Sequence, residues 1–183
     1  MEIRLGTLEI VPAKSRLELV APPTKAALGH MPNAELVGVA EIDPNLSDTA
    51  AFCAHYEVGL EQAANCVIVE AVRGERRRLA ACMVLGNTRA DVNGIVRRTL
   101  DARRASFAPM EEAVEKSGME YGGITPIGLP ADWPILIDSA VAASDYIIVG
   151  SGIRKSKLII PGKVLAALPN ATVIEGLGRI VEK

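Results

Sequence analysis

Two glycine-rich runs hold most of the residues whose type and spacing could do chemistry. The ten residues YGGITPIGLP, Tyr121 to Pro130, contain three glycines and two prolines. The nine residues VGSGIRKSK, Val149 to Lys157, contain two glycines followed by three basic side chains. A plain surface turn needs one glycine and one proline, so both runs carry more backbone punctuation than a turn requires. Glycine lets a ligand approach the main chain closely, and clustered N–H groups bind an anion or a polarised carbonyl. Such an array can stabilise a developing oxyanion without a side-chain nucleophile. The plainer alternative is a pair of tight turns that close a sheet.

Other catalytic sets are missing. The two histidines, His30 and His55, have no metal-ligand spacing. There is no G-x-S-x-G elbow, and GSGIRKSK lacks the spacing of a phosphate-binding loop. Cys53, Cys66 and Cys82 are odd in number and widely spaced, which fits neither a disulfide framework nor a zinc knuckle. They read as reduced thiols, Cys66 and Cys82 packing in strands, and point to the cytoplasm. No metal or cofactor is expected. The start, MEIRLGTLEIV, lacks the basic and apolar regions of an export signal. No apolar run reaches the roughly 20 residues that span a bilayer. Aromatic residues make up 3% of the chain, which argues against a base-stacking platform.

Net charge is −2, but the charges are unevenly placed. Between Arg73 and Arg104 lie nine arginines, no lysine and three acids. The remainder holds eleven basic and nineteen acidic residues. A guanidinium fork suits bidentate phosphate contacts. A solvated helix face and a hairpin tip would look the same by composition.

The elements that must position these groups follow from pattern. A length of 183 residues fits a single domain, 1–183, with an aliphatic core. A weak strand is expected in the opening segment and a strand over Ala34 to Ile42. Asp48 is placed to cap a helix running to Tyr56. Cys66 to Val72 and Leu79 to Gly86 are apolar strands joined by the charged tip RGERRR, which places them in the sheet centre. Asp91 caps a helix with Val92, Ile95, Val96 and Leu100 on one stripe and Arg97 and Arg98 on the other. A second helix starts near Pro109 and ends at Gly118. Ile135 to Val141 is a strand or helical turn. Tyr146 to Gly152, KLIIPG and ATVIEGL are strands. Helices alternating with strands and hairpins give an α/β (α+β) fold with a mixed sheet.

The combination of ANCVIVEA, TRADVNGIVRR, GMEYGGITPIGLP, a strand entered from Asp138, and VGSGIRKSKLIIPG resembles the YbaK/EbsC family of prolyl-tRNA-synthetase-associated editing domains. The resemblance covers residues 28–177, with residues 1–27 as an N-terminal extension. Its most specific mark is GGITPIG, which matches the family pattern G-G-[IV]-[ST]-P-[FI]-G. The resemblance implies a mixed, partly barrel-like sheet flanked by helices. It also implies hydrolysis, without a metal, of the ester joining a wrong amino acid to the tRNA 3′ adenosine. Mischarged tRNA is then the partner, with an aminoacyl-tRNA synthetase as a second.

Carried over residue by residue, Gly122, Gly123, Thr125 and Pro126 line the pocket. Gly150, Ser151 and Gly152 form its opposite wall, and Asp138 fixes the geometry. The family commonly has a lysine before its central strand, where this chain has Asn65. Arg154 or Lys155 is the expected replacement for the missing charge. Arg76, Arg77 and Arg78, with Arg97 and Arg98, are the expected tRNA contacts, the first three carrying the largest effect on KM. The expected mechanism is positioned hydrolysis: main-chain N–H groups of either glycine loop polarise the ester and the ribose hydroxyl assists water. Two alternatives stay open. One is a tRNA- or synthetase-binding module of the same fold with weakened catalysis, which Asn65 favours. The other is hydrolysis of a different small acyl ester or thioester.

Overall fold

The structure, a computed structural model, describes residues 1–182. The opening segment forms β1 (Val11–Pro12) and then α1 (Pro22–Leu28), a helix begun by two prolines. β2 (Gly38–Glu41) is shorter than its sequence pattern, because Ala34–Leu36 winds as a 3₁₀ turn. α2 (Thr49–Tyr56) is capped by the Asp48 carboxylate, which accepts from Ala51 N–H at 3.2 Å.

β3 (Ala64–Arg73) and β4 (Arg76–Leu85) form a ten-residue hairpin closed by Gly74 at φ 61°. β5 (Thr88–Ala90) follows. The Asp91 carboxylate accepts from Ile95 N–H, four residues on, so residues Val92–Val96 wind as a π-helix before α3 (Arg97–Thr99). Gly94 permits this, since a Cβ there would lie 2.3 Å from an Asp91 carboxylate oxygen. β6 (Arg104–Phe107) leads into α4 (Met110–Ser117), which ends on Gly118 at φ 69°. Then come β7 (Ile135–Asp138), α5 (Ser139–Ala142), β8 (Ile147–Gly150), β9 (Ser156–Ile160), α6 (Gly162–Ala166), β10 (Ala171–Ile174) and β11 (Gly178–Ile180).

The strands make a four-stranded sheet, β1-β2-β9-β8, and a five-stranded sheet, β10-β7-β4-β3-β6, with β5 and β11 as a separate ribbon. β4 and β3 are interior strands, as their apolar runs required. The sheet is mixed: β7 lies parallel to β4 and β10, while β3 is antiparallel to β4 and β6. One parallel bridge, Ala63 to Ile148, joins the two sheets without closing a barrel. The principal core, with Met83, Ile137, Val149 and Leu158 fully buried, lies between the sheets.

That junction makes the site. The edge of β3 away from β4 meets β8 only at Ala63 and β6 only from Val69 onward. Among the described residues, 64–67 therefore have no strand partner on that edge, and the two sheets splay apart beside them.

Candidate active site

A cleft of about 560 Å³ occupies the splay. Its floor is Ala64, Asn65, Cys66 and Ile68 of β3, at and beside the open edge. Burial pushes the Cys66 thiol up, so it stays protonated and acts as apolar lining.

The two glycine loops meet along one side. Gly152 N–H donates to Gly123 O at 2.7 Å, and Glu120 N–H donates to Gly152 O at 2.9 Å. A Cβ on Gly150 would lie 2.6 Å from the carbonyl oxygens of Gly123 and Ile124. The glycines thus allow two backbones to touch each other, and only Gly122 and Gly150 face the cleft. Gly123 N–H is already engaged with Glu120 O at 3.0 Å. Gly122, exposed at φ 80°, makes no main-chain hydrogen bond through its N–H among the described residues.

The N-terminal segment braces both loops from behind. Ala21 N–H donates to Ser151 O at 3.1 Å, and the Thr24 hydroxyl donates to Ile127 O at 2.9 Å. The buried Ser156 hydroxyl links Ser151 Oγ to Leu19 O. A Cβ on Gly152 would meet Ala21 Cβ at 2.3 Å, and one on Gly128 would meet Pro23 O at 2.5 Å. Ala13, Leu19, Val20, Ala21 and Thr24 of this segment are buried.

A further part of the lining is the segment before and at the start of α2, where Ser47 lies against Gly122. Asn45, Ser47, Asp48 and Thr49 line the cleft. The Thr49 hydroxyl donates to Asn65 Oδ1 at 2.5 Å, which fixes the amide and leaves its NH₂ group to reach elsewhere. Lys157, on β9, sends its side chain under this wall. It is 9% exposed, donates to Ser47 O at 3.3 Å and lies 5.3 Å above the Phe52 ring. Burial lowers its proton affinity, while Cys53 and Asp48 act in the opposite sense. Arg154 reaches Pro44 O at 3.3 Å from the loop before β9.

Of the residues expected from sequence, the cleft gathers Asn65, Gly122, Gly150 and Arg154. Gly123, Gly152, Ser151, Thr125 and Pro126 lie buried behind the lining, and Lys155 points to solvent. Thr125 Oγ1 is buried without a partner among the described residues. Asp138, at the end of β7, accepts from Ala140 N–H and from Gly178 N–H at 2.9 Å, tying α5 and the β11 approach together outside the cleft.

The arginines are placed unequally. Arg77 lies between Glu70 and Glu112, Arg76 beside Asp101, and Arg78 donates to Leu100 O. Arg97 donates to Asn93 O, whereas Arg98, Arg103 and Arg104 are exposed. Lys157 was not singled out by sequence reasoning. Its signal is a lone lysine inside the apolar strand SKLII. Also missed were Phe107 and Tyr121, 68% and 58% exposed, which stand with Met110 on the rim. Scarcity of aromatics over the whole chain said nothing about where these two lie. Among the described residues no three His, Cys, Asp or Glu side chains gather as a metal site. No helix there is long and apolar enough to cross a membrane.

Comparison with known proteins identifies the family and the fold. The aminoacyl-tRNA editing domain family matches residues 43–168, about two thirds of the chain, and the chain belongs to that family. A crystal structure of a candidate trans-editing enzyme for prolyl-tRNA synthetase superposes with a TM-score of 0.70 at 19% identity, covering 85% of this chain and 97% of that one. A hypothetical protein superposes with a TM-score of 0.68 at 18% identity, covering 77% and 90%. A scaffold from computational epitope grafting gives 0.72 at 18% identity, covering 85% and 95%. At these identities the likeness is one of fold. Among curated proteins none matches significantly in sequence.

Proposed function

We propose that the protein is a trans-editing aminoacyl-tRNA deacylase that hydrolyses the ester of a mischarged small amino acid, acting in the cytoplasm on a tRNA partner. The observation that carries this reading is the convergence of Gly122, Gly150, Asn65 and Lys157 on one cleft in a chain of the editing family. A volume near 560 Å³ suits a nucleoside carrying a small acyl group. Phe107 and Tyr121 offer apolar faces to the terminal base at the mouth, and the ester reaches the polar floor at Asn65. A pocket that selects by size gains only about 1–3 kcal/mol per methylene, which is why a separate editing site is useful.

The test is a deacylation panel of mischarged tRNAs, with Ala-tRNA(Pro), Cys-tRNA(Pro) and Ser- and Thr-tRNAs included. Ester loss above the buffer rate on any member supports the enzyme. A second reading, a tRNA- or synthetase-binding module of the same fold, is favoured by Asn65 in place of the family's lysine. It predicts no ester loss on the whole panel with tRNA still bound.

A further inference from the structure

Lys157 is a buried cation beside the cleft with donor capacity left over. An ammonium carries three N–H donors. Among the described residues this one makes a single hydrogen bond, to Ser47 O. None of the ion pairs includes it. The β8–β9 register sets Lys157 opposite Gly150, so the strand that carries the cation is paired to the glycine loop bordering the cleft. Lys157 and Asn65 both line that cleft. The other candidates for stabilising negative charge are weaker. Gly123 N–H is taken up by Glu120 O, Gly152 N–H by Gly123 O, and the open Gly122 N–H is a neutral donor. Asn65 is neutral, and Arg154 is turned toward Pro44 O.

We infer that Lys157 is the electrostatic catalytic residue of the cleft, its ammonium holding the carbonyl oxygen of the acyl ester as that oxygen gains charge. The inference rests on the editing reading above. In the step, the oxygen of water bonds to the acyl carbon and the carbonyl electron pair moves onto the oxygen facing Lys157. The tetrahedral species collapses as the bond from the acyl carbon to the ribose oxygen breaks. One proton of the water goes to the ribose oxygen; the other leaves to solvent as the amino acid departs as a carboxylate. Lys157 keeps its proton throughout. The cleft's positive charge thus comes from β9, while Asn65 on β3 supplies a neutral donor to the same cleft.

A purely structural role for Lys157, holding Ser47 O while its ammonium sits over the Phe52 ring, predicts a different outcome, so the two are separable. For Lys157→Gln the expected result is a kcat lower by about 100- to 1,000-fold with KM changed less than about threefold. Lys157→Cys, alkylated with bromoethylamine to restore an ammonium, is expected to recover most of that loss. A Lys157→Gln protein with kcat within about threefold of wild type overturns the inference. So does a folded, aminoethylated Lys157→Cys protein that stays inactive.

A wild-type measurement covers the case in which the variants fail to fold. A phosphonate analogue of aminoacyl-adenosine, whose charged oxygen mimics the oxyanion, should protect Lys157 but not exposed Lys155 from an amine-acylating reagent, read by peptide mass spectrometry. Equal labelling of Lys157 with and without saturating analogue overturns it too. Wild-type protein that deacylates nothing on the panel removes the editing reading and this step together. An active wild type with an unimpaired Lys157→Gln removes this step alone.

Discussion

Asn65 and Glu112 show how differently two polar side chains can serve the same hairpin. Asn65 lies where β3 pairs with β4 on one edge and is open to the cleft on the other, and Thr49 holds its carbonyl oxygen. Its NH₂ group can then donate to a substrate oxygen but cannot supply charge. Asn65→Ala removes one oriented donor, worth about 1 kcal/mol net and more where it meets developing charge. The expected loss in kcat/KM for deacylation is about tenfold; undiminished activity would remove Asn65 from the mechanism. Glu112 acts on folding. The Arg77 and Lys116 side chains beside it hold its carboxyl down to about 2 from an ordinary 4.5. A carboxylate depressed on folding adds stability above its unfolded value and loses it as pH falls through the folded one. Melting temperature should therefore drop as pH goes from about 4.5 to 2, and Arg77→Met should flatten that drop. Circular dichroism melts across the window check it, and parallel curves for the two proteins would show the pair to be idle. Solvent screening keeps the effect modest.

The loops and strands that build the cleft were legible in the sequence to different degrees, for physical reasons. β3, β4, β8 and β9 are buried apolar runs, and burial is what composition reports best. Asp48, Pro109 and Gly118 marked α2 and α4 through capping chemistry that is local to a few residues. β6 and β11 carry few apolar side chains, and their strand state comes from partners distant in sequence. The glycine loops were visible, but not the reason for their glycines. The sequence suggested amides bared to a ligand; the structure uses most of these glycines for contact between the two loops and with the N-terminal segment. The lone lysine of SKLII was a weak signal, because nothing local to that strand tells a cleft-facing lysine from a solvated one. Gly152→Ala tests the packing role. Its φ of 89° and a Cβ 2.3 Å from Ala21 Cβ combine backbone strain with a clash, together costing roughly 2–4 kcal/mol. Denaturant melts should show that loss, and deacylation should fall with it as Gly150 and Gly122 shift. A variant of unchanged stability would mean that the N-terminal brace is loose.

Charge is organised on the scale of the whole molecule. The chain is net positive over residues 73–104 and net negative outside them, so on the editing reading that segment is the side that favours a polyanion. Within the segment, Arg76, Arg77 and Arg78 are tied to Asp101, to Glu70 and Glu112, and to Leu100 O. That engagement cancels or occupies the groups expected from sequence to matter most. Arg98, Arg103 and Arg104 stay exposed, and β6 runs from Arg104 directly to Phe107 on the rim of the cleft. An acceptor stem lying along β6 would bring its 3′ end to the mouth while its phosphates meet these arginines. Each phosphate so neutralised contributes about 0.7–0.9 to the slope of log affinity against log salt. Replacing Arg98, Arg103 and Arg104 together by Ser should raise KM for mischarged tRNA. It should also lower the salt slope of kcat/KM by about 2 if all three meet phosphates. Replacing Arg76 and Arg77 should instead lower the melting temperature and leave most of the slope. Steady-state deacylation between 50 and 300 mM salt separates the two sets. A slope unchanged in the first set and reduced in the second would move the tRNA path from β6 to the tip of the β3–β4 hairpin.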